Sequence, residues 1–288
     1  MRALAQYVMR GPMQAGGVAV VSTIVPLLFW IGAAVTALVI MRQGIRQGLT
    51  IGLWALLPAL GWAVYGQNPT ALFVLLQTML IASVFRASLS WENALLSGAF
   101  LTILSGLMMP VMYSALLNEL VQIGVDFYDQ YNAEVVQSLG SDLEGIIRSA
   151  MSASIAGSAF AIAIAMALLA RSWQAGLDNP GGFQREFHAF RLSPAIAVVC
   201  AVTMVSGSLL ELNPVLVAWA AGMPLLVAGL ALVHGVVGRK QWGGQALFAF
   251  YIVLGLLGLN LMMLLLVLAF VDSWLDIRER IAPTGPAE

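Results

Sequence analysis

The sequence predicts an all-α fold: a polytopic transmembrane helical bundle of about eight to nine membrane segments, with short amphipathic interfacial helices. Three observations predict it. First, 60% of the 288 residues are hydrophobic and only 9% are charged, against roughly 25% charged in soluble domains. So few charges cannot cover a core in water, so the outer solvent is lipid. Second, apolar runs recur along the chain at the length of about 20 residues that a helix needs to cross a hydrocarbon core of roughly 30 Å. Third, the Arg and Lys residues fall in short loops, where they set orientation. Open backbone cannot face lipid, so each apolar run is helical.

The chain reads as a single transmembrane domain over residues 1–288. Its N-terminal stretch is basic and leads into apolar residues, but no small-x-small cleavage site closes it, and the hydrophobicity continues. A retained first segment is therefore expected. Residues 13–25 and 26–41 form one long apolar run broken at Pro26, followed by runs at 47–65, 69–85, 91–117, 151–171, 193–211, 213–237 and 244–271. Boundaries are marked by Gly66-Gln67-Asn68-Pro69, by Leu212-Asn213-Pro214, whose proline suits a first helical turn, and by Arg239-Lys240-Gln241 before Gly243-Gly244.

Charge orients these segments in a bacterial inner membrane with a cytoplasmic N-terminus. If 13–41 is a hairpin bent at Pro26, the cytoplasmic side holds Arg2, Arg10, Arg42, Arg46, Arg86, Arg171, Arg185, Arg191, Arg239 and Lys240, and the other side holds Arg148, Arg278 and Arg280. A single crossing by 13–41 weakens that bias. A break near Asn260 would return the C-terminus to the inside. The sequence leaves both points open.

Two loops carry pattern. Residues 118–150 are acidic, with Glu119, Asp126, Asp129, Glu134, Asp142 and Glu144 against Arg148, and suit the periplasmic side. Val121, Val125, Tyr128 and Val135 share one helical face, which predicts a short helix lying on the outer surface. Ser141 and Glu144 have capping-box spacing. Residues 172–192 place Phe183, Phe187 and Phe190 on one face of an amphipathic cytoplasmic segment, either an anchor at headgroup level or a docking element for a partner.

Polar residues within spans are the default functional candidates. Gln77, His234 and Asn260 qualify as candidate ligand-binding residues, although hydrogen bonding between helices is the favoured account of Gln77 and Asn260. Glu92 lies in a first helical turn, Glu211 and Asn213 flank a cap, and Asp272 and Asp276 alternate with Arg278 and Arg280 as a solvated helix end does. Small residues form stripes at Ala153/Gly157/Ala161/Ala165, at Ala159/Ala163/Ala167, at Gly98/Thr102/Gly106 and at Ala33/Ala37. Such stripes let helices approach closely, either within the bundle or on a partner subunit.

The chain carries no phosphate loop, HExxH, GxSxG or Cys/His metal set, and Cys200 is its one cysteine. Neither an enzymatic role nor a cofactor nor a metal is expected. A net charge of −1 without a basic cluster excludes nucleic acid as a partner. The expected partners are the lipid bilayer and, as an alternative use of the small-residue and phenylalanine faces, another membrane subunit.

Four stretches carry a resemblance: PLLFWIGAAVTALVIMRQGIRQGLTIG (26–52), NPGGFQREFHAFRLSP (179–194), GLALVHG (229–235) and LAFVDSWLDIRER (268–280). Together they resemble the proteobacterial branch of the YybS-like family of bacterial membrane proteins. That family is distantly similar to the substrate-binding subunits of energy-coupling-factor vitamin transporters, through an early helix, a proline and a helix ending in a basic-glycine turn, here Pro26, Arg42, Gly44 and Gly48. The resemblance implies a transport-related subunit, with Ala33 and Ala37 on a face for a coupling protein. The chain departs from that pattern in having more than six predicted spans and no obvious polar ligand cage. The leading expectation is a transport-related subunit that binds a small, largely apolar ligand; the alternative is a non-transporting membrane scaffold.

Overall fold

The computed structural model describes residues 2–132, 139–140, 142–207 and 213–281. Every element among them is a helix. Five helices are long and apolar enough to cross a membrane: α4 (Ile45–Val64), α5 (Thr70–Ser88), α6 (Trp91–Met112), α8 (Asp142–Asp178) and α11 (Pro214–Arg239). Two bent pairs raise the number to seven at most: α9 (Gly182–Ala189) with α10 (Pro194–Ser206), bent by 65°, and α12 (Gly243–Leu257) with α13 (Leu259–Leu275), bent by 119°. This corrects the eight to nine segments expected from hydropathy.

The reason lies at the two ends of the chain. After the short α1 (Arg2–Val8), helices α2 (Pro12–Ile24) and α3 (Phe29–Gln43) have 13 and 15 residues. They rise only about 20 and 22 Å, short of a full hydrocarbon core. They form the hairpin bent at Pro26. At one end Gln43 Nε2 lies 3.8 Å from Met9 Sδ. At the other, Gly32 sits so close to α2 that a Cβ there would lie 2.6 Å from Thr23 Oγ1. At the other terminus, the run 244–271 folds back on itself at Gly258 (φ 50, ψ −123), a backbone conformation that only glycine adopts readily.

Long-range bonds define one end of the bundle. Arg42 pairs with Asp178 at 2.8 Å, joining the ends of α3 and α8. The Trp91 indole donates to Glu186 at 2.5 Å, and Glu92 accepts from the Ser193 amide at 2.6 Å, tying the start of α6 to α9 and α10. Arg278, in the short α14 (Ile277–Arg280), donates to the His188 carbonyl at 2.8 Å. The last helices therefore end where α3, α8 and α11 end, and Arg278 and Arg280 belong with Arg42, Arg86, Arg171, Arg185, Arg191 and Arg239. Of the two placements the sequence leaves open, this is the one that follows from a break in the run 244–271, and the charge asymmetry becomes steeper. Arg148 lies at the far end, near the start of α8, where Asn213 of α11 donates to the Ser149 carbonyl at 2.7 Å.

That far end is acidic. Helix α7 (Ser114–Tyr131) packs Val121, Val125 and Tyr128 against Leu143, Ile147 and Met151 of α8. The apolar face read from the sequence is therefore buried against another helix rather than laid on the membrane surface. Helix α8 has 37 residues and is about 55 Å long, longer than a hydrocarbon core, and α7 packs on its first turns. Glu134, Val135, Ser141 and Glu211, invoked from sequence, lie outside the described residues. The cap assigned to Asn213 is present: its side chain accepts from the amides of Val215 and Leu216.

The small-residue stripes are used inside the chain. Ala159, Ala163 and Ala167 are fully buried. A Cβ at Gly98 would lie 2.4 Å from Phe160, and one at Gly106 would lie 2.4 Å from Leu216. Ala33 and Ala37 are likewise fully buried, within the α3–α4–α5–α8 core. A separate subunit cannot reach them, which corrects their assignment to a partner face.

Candidate functional site

The candidate ligand-binding residues do not converge. Gln77 is 0% exposed in the core, and neither its amide nitrogen nor its amide oxygen has a hydrogen-bond partner. The interhelical hydrogen bond expected of it is not made, and no described cavity reaches it. The hydroxyls of Thr36 and Thr78 are orphaned in the same way. Asn260 is exposed on the first turn of α13. His234, near the opposite end of α11, has Nε2 2.8 Å from the Tyr251 hydroxyl and its ring 5.3 Å from that of Phe187. These three residues cannot form one ligand cage.

Phe183, Phe187 and Phe190 are half-buried and pack against the bundle core. Phe183 and Phe187 stack at 5.8 Å. Their face is occupied by α8 and α11, so the amphipathic segment is anchored within its own chain. This corrects their reading as a docking face. Glu186, on the polar side, accepts three bonds from Arg171, the shortest 2.6 Å. Arg171 also donates to Gln174, whose amide donates to the Met41 carbonyl, an acceptor shared with Arg86. A polar layer thus ties α3, α5, α8 and α9 together at the basic end.

An open cleft of about 300 Å³ lies between α10, α11 and α13. Met204, Trp219, Met223, Met262, Met263 and Leu266 form most of its wall, and no charged residue lines it. Met263 and Leu259 are 50% and 72% exposed, so the cleft is open on the outer surface of the bundle. Its back wall depends on one residue of a small stripe. At Gly157 a Cβ would lie 2.2 Å from Trp219 Cγ, so only glycine leaves room for the indole. The four methionines are unbranched and polarisable, and such side chains adapt to irregular apolar ligands. The signal for this cleft was present as helical spacing, Val215/Trp219/Met223 on α11 and Leu259/Met262/Met263/Leu266 on α13, but that pattern is indistinguishable from ordinary core until the 119° bend leaves it open.

The residues that the sequence misrepresented most are Asp272 and Arg278. They were expected on a solvated helix end. They are 1% and 8% exposed and form an ion pair at 2.8 Å. Asp272 also accepts from the Ile277 amide at 2.8 Å. The pair forms because Asp276 takes a left-handed conformation (φ 44), which turns α14 back over the end of α13.

Among the described residues no group of three His, Cys, Asp or Glu side chains could hold a metal ion. No protein family, curated protein or solved structure matches this chain. Its apolar helices make it an integral membrane protein with several membrane-crossing segments.

Proposed function

We propose that the protein is a transport-related inner-membrane subunit that binds a small, largely apolar ligand in the cleft between α10, α11 and α13. The observation that carries this is the cleft itself. A concave apolar surface of about 300 Å³ with an aromatic wall suits a small ligand that arrives through the lipid. The resemblance to the YybS-like family, and through it to the substrate-binding subunits of energy-coupling-factor transporters, supports the transport role. The concentration of arginines at one end supports a cytoplasmic basic end, with α14 on that side. The scaffold reading stands second, favoured by the close packing of the small-residue stripes within the chain.

The test is purification from native membranes in mild detergent, with mass spectrometry of co-purifying proteins and bound small molecules. Wild type is expected to carry a stoichiometric apolar ligand, and Gly157→Val, which drives the Trp219 indole into the cleft, is expected to lose it while remaining helical. An empty wild-type bundle that returns with protein partners from another pathway would overturn ligand binding and leave the scaffold in front.

A further inference from the structure

A second concavity lies at the opposite, basic end of the same helices. A cavity of about 430 Å³ opens between α9, the last turns of α11 and the α13–α14 junction. Arg185, His188, Arg191, Arg239 and Arg278 line it, with Asp276 and Glu279 as its acidic members. Arg278 is neutralised by Asp272, and Arg191 pairs with Asp276 at 2.9 Å. Among the described residues Arg185 and Arg239 are in no ion pair, and they supply the cavity's remaining positive charge, against Glu279. His188 adds an imidazole to the wall, a group that can accept or donate a hydrogen bond.

The floor is preformed. A Cβ at Gly235 would lie 2.7 Å from the His188 carbonyl oxygen, and one at Gly238 would lie 2.6 Å from His188 Nδ1. The two glycines let α9 press directly onto α11, and Arg278 bonds that same carbonyl. A floor that is already ordered loses little freedom when a ligand arrives. Its depth is marked as well. Trp242 and Trp274, at the ends of α11 and α13, are 61% and 60% exposed, and exposed tryptophans at the ends of spanning helices sit at headgroup level.

We propose that this cavity binds an anionic phosphate group, held by the guanidinium groups of Arg185 and Arg239. Guanidinium forks match phosphate oxygens in two-point contacts, and basic pockets between membrane helices on the cytoplasmic side take anionic headgroups. The phosphate belongs either to a lipid headgroup or to a soluble phosphate. The site is chemically and spatially separate from the apolar cleft, so neither depends on the other.

The test uses the full-length protein in mild detergent, as wild type, as Arg185→Gln/Arg239→Gln and as the charge-matched control Arg10→Gln/Arg46→Gln. Native mass spectrometry measures retention of phosphatidylglycerol against zwitterionic phosphatidylcholine, and thermal unfolding measures stabilisation by inorganic phosphate. With roughly fivefold from each arginine, selective phosphatidylglycerol retention is expected to fall about twenty-fivefold in the pocket variant and to persist in the control. That outcome assigns the phosphate to a lipid. Stabilisation by inorganic phosphate that is lost only in the pocket variant, without lipid selectivity, assigns it to a soluble phosphate. Absence of both effects in wild type, or their equal loss in the control, would overturn the proposal.

Discussion

Gln77, in the packed core, and Asp272, at the basic end of α13, are both polar side chains removed from solvent, at 0% and 1% exposure. The fold treats them oppositely. Asp272 is fully engaged, accepting from Arg278 and from the Ile277 amide at 2.8 Å each, while Arg278 reaches on to the His188 carbonyl. Gln77 is neutral and makes no hydrogen bond. The difference teaches that satisfaction, rather than polarity, decides what a buried group does. Asp272 braces the end of α13 against α9, whereas Gln77 is a cost that the surrounding helix packing carries.

The largest expected effect tests the brace. Asp272→Ala leaves the Arg278 guanidinium buried without its counter-ion, which costs about 3–5 kcal/mol. Unfolding in a detergent–SDS titration should show that loss. Combining Asp272→Leu with Arg278→Met should recover most of it, because an apolar pair leaves no uncompensated charge. If the double variant is as unstable as the single one, the brace acts through packing instead. The next effect has the opposite sign. Gln77→Leu replaces an unsatisfied amide with an apolar side chain of similar size, and should stabilise the protein by about 1–3 kcal/mol in the same titration. A loss of stability would mean that Gln77 is bonded in the membrane-embedded protein.

Features set by local chemistry were readable in the sequence. Pro26 bends the first hairpin, and Asn213 followed by Pro214 caps α11, because a fixed φ and an Asx-type side chain act on their immediate neighbours. The small-residue stripes were readable as close contacts, but not as contacts inside this chain, since spacing alone does not say what lies opposite. Ala33 and Ala37 show this directly. The face of α7 carrying Val121 and Tyr128 was recognised, yet an amphipathic stripe fits a lipid surface as well as it fits α8. Least readable was the C-terminal region. The reversal at Gly258 leaves the apolar cleft open, and the left-handed Asp276 brings Arg278 back onto Asp272. Both are single backbone choices in runs whose composition suits an unbroken helix.

The smallest effect separates the buried brace from the exposed charges beside it. Asp276 sits four residues after Asp272, and its pair with Arg191 leaves the two side chains 29% and 37% exposed. Exposed pairs of this kind contribute between 0 and about 1 kcal/mol. Asp276→Asn keeps a residue that tolerates the left-handed conformation and can still cap α14, so stability should change by less than about 1 kcal/mol. The same substitution removes a carboxylate from the basic cavity and releases Arg191. Retention of phosphatidylglycerol in native mass spectrometry should therefore rise about fivefold, while Asp272→Ala lowers stability in the parallel titration. A large destabilisation by Asp276→Asn would mean that the brace extends to Arg191. Unchanged lipid retention would mean that Arg191 stays turned away from the cavity even when unpaired, leaving Arg185 and Arg239 as its only effective cations.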